Sequence, residues 1–143
     1  MNVYIKFKMH FYQEVFRKWE NRQGEASLTT VETFCMEIIM ALGRPSVSRF
    51  AEFTSMSSAN AADKVNKLVK KGYLRKIQST EDKRVFYLEV TQRYLDYYNI
   101  SYQYMETVMK RVEDKFSEEE LQTVEHMLNV MNEELMNEVS LGR

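Results

Sequence analysis

The chain reads as a mainly α fold carrying one small β-hairpin, an α+β arrangement, and three observations predict it. Apolar residues recur at three- and four-residue steps through most of the length, as helices require. The only β-type runs are two short ones between Tyr73 and Val90, separated by a charged turn. Gly24, Gly43, Gly72 and Gly142, with the single proline Pro45, fall between the helical runs as stops.

In the first helix Tyr4, Phe7, Phe11, Val15 and Trp19 form one broad aromatic face that needs a partner. The second opens at Thr29, with Glu32 three residues on as a capping box, and turns Val31, Phe34, Cys35, Ile38, Ile39 and Leu42 inward before Gly43. Ser46 or Ser48 caps a short third helix through Phe53. Thr54-Ser55-Met56 is then the turn before a fourth helix beginning at Ser57 or Ser58, which makes a helix-turn-helix pair. Ala61, Val65, Leu68 and Val69 are the packed side of that fourth helix, and Asn60, Asp63, Lys64, Lys67 and Lys71 are left toward solvent or DNA. Small residues at its start, Ser58, Ala59, Ala61 and Ala62, permit close approach to base edges.

Lys70-Lys71-Gly72 stops the fourth helix. Tyr73, Leu74 and Ile77, then Val85, Phe86, Tyr87, Leu88 and Val90, suit a half-buried pleated surface. Between them Ser79-Thr80-Glu81-Asp82-Lys83-Arg84 supplies turn formers and two adjacent cations at the tip. A helix able to lie in a groove, with a cation-bearing hairpin beside it, is a layout for gripping duplex DNA, and these elements read as a winged helix-turn-helix. Thr91 starts a long fifth helix containing Tyr94, Leu95, Tyr98, Tyr102, Met105, Met109 and Val112 and ending near Phe116. Ser117 with Glu120 is a second capping-box match, opening a last helix in which Leu121, Val124, Leu128, Met131 and Leu135 repeat at helical spacing. Long terminal helices whose apolar stripes exceed the needs of a small winged helix are most simply buried in a two-fold dimer. The expected organisation is an N-terminal dimerisation helix over residues 1–28, a DNA-binding lobe over 29–91 and C-terminal dimerisation helices over 92–143. The dimer face would use Tyr4, Phe7, Phe11, Leu121, Val124, Leu128, Met131 and Leu135.

At 143 residues, 44% apolar and 13% aromatic, the chain has ample material for a core. A single cysteine, Cys35, excludes an internal disulfide and a four-cysteine zinc cluster and fits a reducing compartment, so the cytoplasm is the expected location. No apolar run approaches the roughly 20 residues needed to span a bilayer, and cations scattered among aromatics from Met1 to His10 are unlike a signal peptide. A net charge of −1 argues by itself against a nucleic-acid partner, but the distribution reverses that. Residues 64–84 carry eight cations against two anions, and 113–138 carry nine carboxylates against Lys115. Attraction to phosphates acts within a Debye length of about 8 Å, so a remote acidic region hardly cancels the basic one.

The helix from Ser57 that ends Leu68-Val69-Lys70-Lys71-Gly72-Tyr73-Leu74, the Asp82-Lys83-Arg84 wing and Leu88-Glu89-Val90-Thr91 after it resemble a MarR-type transcriptional regulator over nearly the whole chain. The resemblance implies a homodimer on a palindromic operator, usually a repressor, often released by a small, frequently phenolic, ligand or by an oxidant. It implies DNA contacts from the fourth helix, expected at Ser57, Ser58, Asn60, Asp63, Lys64 and Lys67, and from Lys76, Lys83 and Arg84 around the wing. It also implies that Asp82 orients the wing by pairing with a nearby cation, with Lys76 at the position usually held by arginine. The chain departs from the pattern at Asp63, where many relatives carry arginine: that contact is either absent or reversed to accepting from a cytosine amino group. Tyr94 replaces a glycine common after the wing, and Phe53-Thr54 departs from the usual apolar pattern.

Effector chemistry is thinly marked. Cys35 is a possible redox sensor, but a lone cysteine on the apolar side of a helix is more often a small core residue. His10 and His126 lack ligand-type spacing, so no metal and no cofactor is implied. Met36, Met40, Tyr98, Tyr102 and Met105 could line a ligand crevice, with ordinary packing as the simpler reading. No phosphate loop, paired-histidine motif or nucleophile triad points to an enzyme. The rival to a DNA-binding regulator is a winged-helix protein-interaction module without DNA.

Overall fold

The computed structural model describes residues 2–20, 28–139 and 141. Its elements are α1 (Val3–Glu20), α2 (Thr30–Ala41), α3 (Val47–Phe53), α4 (Ser58–Lys70), β1 (Leu74–Gln78), β2 (Phe86–Val90), α5 (Gln92–Glu113) and α6 (Glu118–Val130), followed by a π-helical turn at Met131–Leu135. The chain divides into two compact units, one around Arg17–Tyr98 and one from Met1–Phe16 with Asn99–Ser140.

In the first unit each helix start is fixed by a side chain. The Thr29 hydroxyl accepts from the Glu32 amide while the Glu32 carboxylate accepts from the Thr29 amide at 2.7 Å, the expected capping box. Ser46, not Ser48, caps α3, and Ser57 caps α4. The ends of α3 and α4 follow one rule. After α4 the amides of Gly72 and Tyr73 return to the carbonyls of Val69 and Leu68, a Schellman closure that needs the left-handed backbone Gly72 adopts at φ +79°. Between α3 and α4 the amides of Ser55 and Met56 return to Glu52 and Ala51 in the same way, but the left-handed position, φ +53°, is held by serine. This turn sets the angle at which α4 leaves α3.

The core gathers Cys35, Met36 and Ile39 of α2, Phe50 and Ala51 of α3, Ala61, Val65 and Leu68 of α4, and Tyr73, Leu74, Leu88 and Tyr94. Each large side chain fully withdrawn from water contributes roughly 1.5–3 kcal/mol before entropy is charged. The inward set expected on α2 was too wide: Val31 and Phe34 are each 48% exposed. The stripes 31, 34, 38 and 35, 39, 42 cover more arc than one small lobe can bury, and the helix turns the second inward with Glu32 at its head. Glu32 is the one buried charged residue among those described, and its Oε2 receives Lys71 Nζ at 2.7 Å. Lys71, expected toward solvent or DNA, is thus turned inward as a strut between the end of α4 and the start of α2.

β1 and β2 pair antiparallel from Leu74↔Val90 to Gln78↔Phe86. A bridge at Ser46↔Tyr87, with the Leu88 amide donating to the Pro45 carbonyl at 2.8 Å, ties the hairpin to the segment before α3. Leu74 and Leu88 face the core, whereas Arg75 pairs with Glu89 on the outer face. Tyr94 fits where a glycine was the expectation because it turns fully into the core, while the Thr91 hydroxyl donates to the Gly72 carbonyl at 2.7 Å to pin the start of α5.

In the second unit Tyr104 of α5 receives Phe7 edge-on, centroids 5.5 Å apart, and His10 stacked at 3.7 Å. Ser117 and Glu120 form the expected capping box of α6. The regular repeat expected through Leu135 stops at Val130, where the backbone widens into the π turn. Nothing in the sequence explains that widening.

Candidate nucleic-acid interface

α4 presents a polar face opposite its buried one. At about 100° per residue, Asp63 stands on the far side of the helix from Ala61, Val65 and Leu68, with Ala59, Asn60, Lys67 and Lys70 flanking it. Ser58, Asn60, Asp63 and Lys67 are all exposed, while Lys64 at the edge of the face is half-buried. The Ser57 hydroxyl is engaged as the helix cap, accepting from the Asn60 amide at 3.3 Å. Asp63 and Lys67 are joined by an ion pair of 2.7 Å between two exposed side chains, and the carboxylate pushes the Lys67 ammonium pKa up.

The hairpin meets this helix through Lys76. Its Nζ donates to Asn66 Oδ1 at 3.1 Å and lies 5.5 Å from the centre of the Phe86 ring. The turn beyond is held by the Ser79 hydroxyl, which accepts from the amides of Glu81 and Asp82, and by Gln78, whose amide donates to the Lys83 carbonyl at 2.6 Å. Asp82 does pair with a cation, but that cation is Arg84, not Lys76. Nε and Nη2 of Arg84 each donate to an Asp82 oxygen at 3.1 Å, and the Arg84 amide donates at 2.9 Å. Side-chain and backbone bonds from Arg84 hold the Asp82 carboxyl below its usual pKa. Lys76 lies against Asn66 instead.

The basic run is therefore less free than its sequence suggests. Of its eight cations, Lys67, Lys71, Arg75 and Arg84 sit in ion pairs, and Lys64, Lys70, Lys76 and Lys83 have none among the described residues. The Glu32–Lys71 pair is a contact that spacing did not reveal, because its partners are 39 residues apart. Burial alone would raise the Glu32 carboxyl, but hydrogen bonds from Lys71 and from the Thr29 amide and hydroxyl outweigh it and hold the pKa below the usual range.

The remaining expected sites are placed as follows. Tyr4, Val124, Leu128, Met131 and Leu135 are exposed, and Phe7, Phe11 and Leu121 are half-buried. Met36 is fully buried in the lobe core and Met40 packs against that core, whereas Tyr102 and Met105 belong to the second unit and are exposed. The side chains of Tyr98, Val15 and Trp19 lie outside the described residues. Cys35 is 1% exposed, and burial pushes its thiol pKa up despite the nearby Lys64 cation, the environment of a core thiol and not of a reactive one. No helix among the described residues is long and apolar enough to cross a membrane.

Comparison with known proteins agrees with this architecture. Residues 28–86 match the model of the MarR family. No curated protein matches the sequence. Among solved structures, the transcriptional regulator Tm0710 from Thermotoga maritima superposes with a TM-score of 0.64 at 15% identity, covering 92% of this chain and 89% of that one. A MarR-like transcriptional regulator, tm0816, from the same organism gives 0.57 at 24% identity over 94% and 97%. FabT from Streptococcus pneumoniae, solved in complex with DNA, gives 0.55 at 17% identity over 96% and 98%. Helix-turn-helix, wing and family model agree over residues 28–86, and the likeness to these solved structures is one of fold: the chain has a winged helix-turn-helix architecture similar to that of MarR-family proteins.

Proposed function

We propose that the chain is a homodimeric, sequence-specific regulator of transcription that binds a palindromic operator as a repressor and is released by a small, phenolic ligand. The observation that carries the DNA-binding part is the contact of Lys76 with Asn66, which sets the cation-bearing hairpin against the flank of the exposed face of α4. In this reading α4 enters the major groove, Asn60 and Lys64 reach base edges, Ser57 and Ser58 approach the backbone, and Lys76, Lys83 and Arg84 meet phosphates or the minor groove. Two copies would place α4 in successive major grooves about 34 Å apart. FabT, a structural neighbour, has been solved with DNA, which supports the same use of this fold. The unit built from α1, α5 and α6 would form the dimer, with its exposed apolar residues as the contact. A ligand contact at Met36 would require that residue to leave its buried position.

Selection of bound sequences from random duplexes, with and without phenolic compounds, tests the reading. A palindromic consensus lost on adding a phenol supports it in full. A consensus indifferent to every phenol removes the ligand part, and no enrichment at all removes the DNA part. The pairing of four of the eight cations favours one alternative, a winged-helix module that binds protein in place of DNA. Redox control through Cys35 is disfavoured by its burial.

A further inference from the structure

We infer that Asp63 and Lys67 work as one reading head for a single C·G base pair in each half-site, with cytosine under Asp63 and guanine under Lys67. The inference rests on the reading of α4 as the major-groove helix. Asp63 occupies the pole of the exposed face, and the pair is formed already in the protein alone, Lys67 Nζ lying 2.7 Å from Asp63 Oδ2. That bond consumes one carboxylate oxygen and one of three ammonium protons. Left over, side by side, are an acceptor on Asp63 and two donors on Lys67, and among the described residues nothing else engages them.

The sequence acceptor, donor, donor is the complement of one base-pair edge. Read across the major groove, C·G presents the cytosine N4 amino donor, then the guanine O6 and N7 acceptors. An A·T pair in the same direction offers a donor and one acceptor but ends on the thymine methyl, which leaves a lysine donor facing carbon, while adenine N7 repels the carboxylate. G·C presents two acceptors to the carboxylate first. Only C·G satisfies all three groups. Ala59, one turn back on the same face, adds no bulk that would hold the pair off the bases. Because the two charges cancel, the pair adds discrimination with little general attraction for phosphate, unlike an arginine at the same place.

Both side chains are 56% exposed and touch nothing in the core, so substitutions here leave the fold intact. The test is selection from random duplexes with three proteins: the native chain, Asp63→Ala, and the double exchange Asp63→Lys with Lys67→Asp, which keeps the net charge. The native chain should enrich a C·G pair at one position of each half-site. Asp63→Ala should lose about tenfold in preference at that position alone, and the exchange should turn the preferred pair into G·C there. Identical preferences in all three would overturn the inference and leave an ordinary helix-stabilising ion pair, with the DNA-binding reading untouched. A native chain that selects no sequence would instead overturn that reading, and this inference with it.

Discussion

Single residues carry more of this lobe than their side chains suggest. Ser55 holds a left-handed backbone at φ +53° in the turn that aims α4, where an L residue with a Cβ is disfavoured by about 1 kcal/mol or more. Ser55→Gly is expected to leave stability unchanged or raise it by up to about 1 kcal/mol, and Ser55→Val to lower it by about 1–3 kcal/mol, in urea unfolding. Glu32 gives a second test. Its carboxyl is held below the ordinary 4.5 in the folded lobe, so its contribution is complete above that value and is lost as pH falls through the lower folded pKa. Glu32→Gln should therefore destabilise the chain near neutrality while flattening the acid limb of its stability curve. An acid limb as steep as the native one would contradict the ion pair. The capping role of Glu32 was legible, because Thr-x-x-Glu spacing is local. Its second partner was not, because nothing local links residues 32 and 71.

At the level of elements, the helices and hairpin could be read from periodicity, caps and stops; most bounds in the structure differ by a residue or two, but α5 ends at Glu113 instead of near Phe116 and the α-helical repeat of α6 stops at Val130 instead of Leu135. What could not be read was which arc of α2 faces inward, since two apolar stripes competed and only packing against β2 and α4 decides between them. The wing shows a similar limit. The sequence marked Asp82 for pairing with a nearby cation, and the partner it takes is Arg84, with Lys83 alone between them, while Lys76 donates to Asn66. In the proposed complex Arg84 would meet phosphate with the guanidinium donors that Asp82 does not use, since only Nε and Nη2 donate to that carboxylate. Arg84→Ala should weaken binding to every duplex alike and flatten the slope of log affinity against log salt by roughly one unit. Sequence-dependent loss would instead give Arg84 a role in base reading.

For the whole molecule, the basic run and the longest exposed apolar run lie in different units. The unit of α1, α5 and α6 exposes Val124, Met127, Leu128, Met131, Leu135 and Met136, each at least 45% open to solvent in one copy of the chain. Scattered apolar residues need no explanation, but a run of them along one helix and its continuing turn marks a contact surface. A dimer through that surface should sediment at twice the 17.1 kDa of the chain. Leu128→Glu with Leu135→Glu should shift it to the monomer and lower operator affinity, while leaving the melting of the DNA-binding lobe little changed. A native chain that sediments as a monomer at micromolar concentration would remove the two-fold operator from the account.

The most direct measurement is a titration of the purified chain into a labelled duplex selected by that chain, followed by anisotropy at several salt concentrations. Binding that saturates at two chains per duplex, and weakens linearly in log–log form as salt rises, is the predicted result. No change in anisotropy even in dilute salt would contradict the claim that α4 and its wing grip DNA.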